Sequence, residues 1–290
     1  MKKGIYLVLA LGLIAMVPMS SNYERDVCEG FMEENDRQIP VDLKNPTGIT
    51  FEEYTGVLDR IQKMYDPEVN AAGATLLIDR AWDSATVNAT ASRKGKVWKI
   101  AMYGGIARHP QMTRDGFAAV ACHEMGHHVG GAPHKFFSWA ANEGQSDYYA
   151  MLKCLRTFFA EDDNEIAITQ QPINELAQNE CMKEYAGRGE QLICIRSTQA
   201  GFALARVLQE MRKEKIVPDF ATPDAKIAGS MVSSHPRTQC RLDTYFNGSR
   251  CPVPVTDAVS ATEYQPGTCD KGDGVFTTGS RPRCWFKPKN

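Results

Sequence analysis

His123-Glu124-Met125-Gly126-His127 places two histidines four residues apart, with a glutamate directly after the first. Residues i and i+4 lie on the same face of a helix, so both imidazoles can reach one metal ion. A glutamate at this position can act as a base toward a water on that metal. The stretch therefore predicts a metal-binding helix with hydrolytic chemistry, and zinc is the metal that this pattern favours.

The residues around this stretch predict a helix over residues 114–129. Thr113 is a suitable N-cap, and Gly130-Gly131 are typical of a helix end. The predicted buried stripe of this helix comprises Phe117, Val120, Ala121 and Met125.

A catalytic zinc site takes three protein ligands and keeps one position open for water. Two residues downstream are candidates for the third ligand. His134 lies one position later than the third histidine of the metzincin pattern, where Pro133 stands. Glu143 lies one helical turn before Asp147, so Glu143 can bind the metal while Asp147 orients a ligand histidine. The apolar and aromatic residues around this pair favour Glu143 over His134.

Taken in order, these motifs resemble those of the HtpX-type zinc metallopeptidases. Residues 123–147 carry H-E-x-x-H followed by E-x-x-x-D, residues 88–105 resemble the family's N-A segment and the strand after it, and residues 234–242 resemble its S/T-H-P motif. These gluzincins also include the CAAX prenyl proteases and soluble periplasmic quality-control peptidases. The resemblance covers residues 45–247. It implies an α+β gluzincin core of the zincin type, mostly helical, with a small sheet before the active-site helix.

The resemblance also implies the roles of individual residues. One zinc ion per chain would be bound by His123, His127 and Glu143. Glu124 would be the general base, and Asp147 would orient His123. His235 is expected near the metal, where it would donate a hydrogen bond to the tetrahedral oxyanion.

The N-terminus is typical of an export signal. Two lysines precede an apolar run at residues 4–17, which is too short to span a bilayer comfortably, and small residues follow at 20–21. We expect a signal peptide over residues 1–20 and a periplasmic or secreted protein. An uncleaved N-terminal anchor is the alternative, because Pro and Met at positions 18–19 suit a cleavage site poorly.

The composition is that of an ordinary globular protein. The chain has 290 residues and a formal net charge of -2, which gives no reason to expect a nucleic-acid partner. No later segment has the length and apolar character of a membrane span, so the mature chain is expected to lack one. The oligomeric state is open.

The nine cysteines predict disulfides in an oxidising compartment. Cys122, beside His123 in a buried helix, is the candidate for the odd thiol. Short loops favour the pairs Cys240–Cys251 and Cys269–Cys284.

The remaining segments predict a mixed architecture. We expect an extended lead-in at residues 21–48, a metallopeptidase domain at 49–250 and a disulfide-stapled tail at 251–290. A capping box at Thr50 and Glu53 starts a helix to about residue 65. Strands are expected at 75–78, 87–92 and 97–103, and further helices at 139–159, 172–186, 197–215 and 236–246, the last with Pro236 at its first position.

These features together predict an exported zinc endopeptidase that hydrolyses polypeptide substrates such as misfolded envelope proteins. The alternatives are a metzincin-type protease that uses His134 as its third ligand, and a low-turnover chaperone or binding protein on the same fold. Residues 160–196 and the tail at 251–290 lie outside the common core of the resemblance, so either is a candidate for regulating access to the site.

Overall fold

The computed structural model describes Cys28 and residues 30–135, 138–170, 172–272 and 276–288. The expected signal peptide at 1–20 and the first residues of the lead-in lie outside this part of the chain. The described residues form a mixed α+β structure, as the sequence predicts. No helix within them is both long and apolar enough to cross a membrane.

Three strands form a small sheet. The strands are β1 (Thr75–Ala81), β2 (Ala89–Lys94) and β3 (Val97–Tyr103), in the order β1-β3-β2. β3 pairs in parallel with β1 and antiparallel with β2, so that Ala89 lies opposite Met102. β2 is therefore an outer strand of this sheet, and it contacts the helix that carries the two histidines.

Helix α1 (Phe51–Ala71) begins at the predicted capping box. The Thr50 hydroxyl accepts from the backbone N–H of Glu53, and the Glu53 carboxylate accepts from the backbone N–H of Thr50. Both first-turn donors are thus satisfied locally. After β3, the short helix α2 (Gly104–Ala107) leads toward the centre of the molecule.

Helix α3 (Arg114–Val129) has the predicted bounds and N-cap, since the Thr113 hydroxyl accepts from the N–H of Gly116. Nearly every side chain of α3 is buried, because α1, α8, the following helix and the sheet all pack around it. On a helix that is buried on all sides, each side chain is either apolar or has its polar groups paired within the protein. Polar groups on α3 must therefore find partners inside the protein.

The remaining helices complete the described fold. They are α4 (Glu143–Tyr149), a π-helical turn (Ala150–Cys154), α5 (Leu155–Phe159), α6 (Asn164–Thr169), α7 (Glu175–Glu184), α8 (Arg188–Met211) and α9 (Thr238–Arg250). α4 starts later than predicted because Asn142 caps it by accepting from the N–H of Gln145. α9 also starts later, at Thr238, because Pro236 lies before the helix and its carbonyl accepts from Arg212.

The predicted cysteine pairing was wrong. The disulfides are Cys122–Cys154, Cys181–Cys194, Cys240–Cys284 and Cys251–Cys269. Cys122 is not the odd thiol, because α3 packs against the π-helical turn and brings its Cα to 5.6 Å from that of Cys154. Cys28 is the cysteine outside these four bridges.

The length of α9 explains why Cys240 does not pair with Cys251. Cys240 lies in the first turn of α9 and Cys251 directly follows the last residue, so roughly 16 Å of helix separates them. A disulfide requires Cα atoms within about 7 Å of each other. The tail instead returns along α9, so that Cys284 reaches Cys240 and Cys269 reaches Cys251.

The tail contributes a small hydrophobic cluster to the body, as expected of a segment with no core of its own. Trp285 is fully buried against Tyr148 and Leu152, and its indole N–H donates to the Thr244 hydroxyl. The Tyr148 hydroxyl donates to the carbonyl of Gly279. These contacts of the tail therefore hold α4 against α9.

The Cys122–Cys154 bridge should stabilise the packing of α3 directly. Its sequence separation is 32 residues, for which unfolded-state loop entropy gives about 3–4 kcal/mol. We expect the Cys122→Ser/Cys154→Ser variant to lose about that much free energy of unfolding, measured by urea denaturation without reductant. A Cys181→Ser/Cys194→Ser variant is the control and should lose less, because its loop is shorter. Non-reducing peptide mapping that finds Cys122 as a thiol would contradict the pairing.

Candidate metal centre

Helices α3 and α4 bring together two histidines and a glutamate. His123, His127 and Glu143 are all fully buried, and one ligand atom from each lies within 4.8 Å of the other two. The close approach depends on Gly126, since a Cβ there would lie 2.9 Å from the Cα of Ser146. The glycine inside the motif thus allows α4 to place Glu143 beside the histidines.

The three side chains lie close enough together to share one metal ion. The Nε2 atom of His123 lies 3.2 Å from Oε2 of Glu143, and Nε2 of His127 lies 3.7 Å from Oε1. Ligand atoms about 2.05 Å from a tetrahedral zinc ion are separated by about 3.3 Å. Both Nε2 atoms and both Glu143 oxygens also lack an aligned hydrogen bond among the described residues. Buried polar groups in that condition are expected where a metal completes the site.

The outer nitrogens of both histidines are held by acceptors. Nδ1–H of His123 donates to Oδ1 of Asp147 at 2.8 Å, and Nδ1–H of His127 donates to the carbonyl of Ala141 at 2.8 Å. A carbonyl oxygen only accepts, so Nδ1 of His127 carries the proton and its Nε2 presents a lone pair. Burial lowers the pKa of His127 to about 3, which keeps this ring neutral as a metal ligand must be.

Asp147 and Arg241 form a buried ion pair behind His123. The Arg241 guanidinium donates to both oxygens of Asp147, at 2.7 and 2.8 Å, and both side chains are fully buried. Burial acts to raise the pKa of Asp147, but the charge of Arg241 outweighs it and lowers that pKa. Burial would likewise lower the pKa of His123, but the charge and hydrogen bond of Asp147 raise it to about 9. Asp147 thus makes His123 a more basic ligand.

Two further groups surround the Glu143 carboxylate. Lys135 places Nζ 2.7 Å from Oε1, and His235 places Nε2 3.3 Å from Oε2. Burial acts to raise the pKa of Glu143, but the imidazoles of His127, His123 and His235 outweigh it and hold that pKa well below its usual range. Glu143 is therefore an anionic ligand candidate.

Glu124 is buried beside the triad. Its side chain is fully buried, and neither carboxylate oxygen has a hydrogen-bond partner among the described residues. Burial raises the pKa of Glu124 to about 8. A carboxylate in this environment accepts a proton more readily than one in water.

The structure places the other sequence candidates as follows. His235 lies next to Glu143, as the resemblance implies. His134 points elsewhere, with Nε2 bonded to the carbonyl of Ala261. The triad thus contains Glu143 and not His134. His128, which follows the second ligand, stacks between Trp98 and Trp139 and has a structural role.

Two residues of the site had no role assigned from sequence. Arg241 lies in the motif that follows His235, one helical turn into α9. Its place in that motif was the available sequence signal, and in the structure it pairs with Asp147, the acceptor of His123. Phe31 gave no signal, because it lies in a polar lead-in without a motif. Its ring meets the His123 ring edge-on, with centroids 5.2 Å apart.

Comparison of the chain with protein-family models, with curated proteins and with solved structures finds no match.

Replacement of Glu143 or of His134 tests which of the two residues is the third metal ligand. We expect Glu143→Ala to lose most of its zinc, because only two protein ligands remain, and His134→Ala to keep one zinc per chain. Elemental analysis of both purified variants gives the answer. The opposite result would support the metzincin-type site.

The buried ion pair should control metal affinity from outside the ligand set. We expect Asp147→Asn to weaken zinc binding about 10- to 100-fold, because His123 loses its charged acceptor. Competition with a chromophoric chelator measures the affinity, and circular dichroism checks the fold. Asp79→Asn removes the exposed ion pair with Lys99 and serves as the control. Equal zinc affinity in both variants would contradict the role of Asp147.

Proposed function

We propose that the protein is a zinc-dependent endopeptidase of the gluzincin type. The observation that carries this proposal is the buried triad of His123, His127 and Glu143, with Glu124 directly after the first ligand. This combination of three ligands and an adjacent base is that of a catalytic zinc site rather than a structural one, which would use four protein ligands. The similarity of its motifs to the HtpX-type peptidases supports the same function.

The residues present fit a zinc ion, because two imidazole nitrogens and a carboxylate oxygen lie within 4.8 Å of one another, and these are ligand types that zinc takes. Zinc bound there would supply a Lewis acid and make an attacking water more acidic. The chain itself supplies the orientation. Asp147 and the Ala141 carbonyl fix the two imidazole rings, so both Nε2 atoms face Glu143.

Glu124 is the proposed general base. Its carboxylate has no competing hydrogen bond among the described residues, and burial raises its pKa to about 8. It would take a proton from the attacking water and then deliver that proton to the leaving amine. One carboxylate can serve both steps, because it is regenerated when the amine leaves.

His235 is the proposed donor to the developing oxyanion. Burial lowers its pKa, so the ring is neutral near pH 7. Its Nε2 lies 2.8 Å from the carbonyl oxygen of Gly30, so Nε2 carries the proton and donates it. A neutral donor next to the metal can stabilise negative charge on a tetrahedral intermediate without binding the ground state tightly.

The substrates are proposed to be polypeptides outside the cytoplasm. Four disulfides are typical of proteins in oxidising compartments, and misfolded envelope proteins would be within reach there.

Removal of the base tests the chemistry. We expect Glu124→Gln to cut casein hydrolysis by about 10²- to 10⁴-fold, because proton transfer is lost while the ligands remain. Zinc measured by elemental analysis should stay at one per chain. Wild-type protein that binds zinc but shows no Glu124-dependent cleavage would instead favour a binding or chaperone-like protein on the same fold.

A further inference from the structure

The candidate centre is closed in this structure. His123, Glu124, His127 and Glu143 are all fully buried, so a polypeptide has no direct access to them. An endopeptidase must admit an extended chain to its metal. Some part of the molecule therefore covers the site and has to move before substrate enters.

Part of the lead-in, which we call the cleft segment (Cys28 and residues 30–32), pairs with the outer strand of the sheet. The backbone N–H of Cys28 donates to the carbonyl of Ala91, and that of Phe31 donates to the carbonyl of Ala89. Along these two bonds the segment runs antiparallel to β2.

Gly30 lies in close contact with β2. Its φ of +92° is a conformation that favours glycine, and a Cβ there would meet the carbonyl oxygen of Ala89 at 2.8 Å. The side-chain amide of Asn88 then holds the next backbone unit, accepting from the N–H of Met32 and donating to its carbonyl. The segment is bound largely through its backbone.

The same segment accepts hydrogen bonds from polar side chains of the candidate centre. The Gly30 carbonyl accepts from Nε2 of His235 at 2.8 Å, and the Phe31 carbonyl accepts from Arg241 at 2.6 Å. The fully buried Phe31 ring packs edge-on against the His123 ring. The Gly30 carbonyl therefore takes the donor that we assign to the oxyanion of a substrate.

We propose that the cleft segment is an internal peptide that occupies the substrate groove and keeps the enzyme latent. The cleft segment occupies both the backbone hydrogen-bond acceptors of β2 and the Nε2–H donor of His235. A substrate can bind at these groups only after the segment is displaced. This inference rests on the proposed function for the identity of the substrate. The tail and residues 160–196 are not needed for it, since the contacts with His123, His235 and Arg241 come from the lead-in.

Gly30→Ala is the direct test. The added methyl group is strained at positive φ and collides with β2, so the bound state of the segment should be disfavoured about tenfold. Gly73→Ala is the matched control. Gly73 also has a positive φ, of +73°, but a Cβ there would have no neighbour within 4 Å, and it lies between α1 and β1. The two variants share the backbone strain and differ in the contact with the groove.

Two rates are measured on the zinc-loaded full chain, the hydrolysis of fluorescent casein and the extraction of zinc by 1,10-phenanthroline. We expect both to rise about tenfold in Gly30→Ala and to stay at the wild-type value in Gly73→Ala. If both rates are unchanged in a folded Gly30→Ala, the inference is overturned. If zinc extraction alone rises and no variant cleaves casein, the segment covers the site but the proposed hydrolase is wrong.

Asn88→Ala provides a second variant, should Gly30→Ala fail to fold. It keeps Gly30 and removes both side-chain bonds to Met32, so it loosens the segment without steric conflict. The same increase in both rates is expected. Wild-type rates in a folded Asn88→Ala would count against the cleft segment as the cover.

Discussion

The buried ion pair between Asp147 and Arg241 is the interaction on which the rest of the structure depends. Each group alone would be a desolvated charge in the protein interior, and loss of one partner from such a pair costs about 3–5 kcal/mol. The pair joins α4 to α9, and through the His123 ring it joins both to α3. It therefore links three helices at the point where the candidate metal ligands meet.

Close backbone packing is the second requirement. α3 is buried on all sides, and Gly126 lets α4 approach within the distance that Glu143 needs. The Cys122–Cys154 bridge ties the same helix to the π-helical turn after α4. The tail holds the opposite side of α4 through Trp285 and two disulfides to α9 and its end. The relative positions of His123, His127 and Glu143 are thus set by the packing of α3 against α4.

Local sequence signals predicted α3, its cap and the position of Glu143 on the next helix, because each depends on residues close in the chain. The i, i+4 spacing alone was enough to place His123 and His127 on one face. The cysteine pairing could not be predicted, since it depends on how far α9 extends and on which way the tail returns. The contacts of Phe31 were equally hidden, because His123 and Arg241 lie about 90 and 210 positions further along the chain and Phe31 belongs to no motif.

The distribution of the site along the chain has a consequence for how the protein is made. Phe31, His123, Glu143, His235 and Arg241 all meet at one place, although the first and last are 210 residues apart. Contacts between such distant segments form slowly, because long loops must close first. A growing chain emerges from its N-terminus, so the cleft segment exists well before α9 does. The centre is completed only near the end of synthesis, and the segment that covers it is present from the beginning.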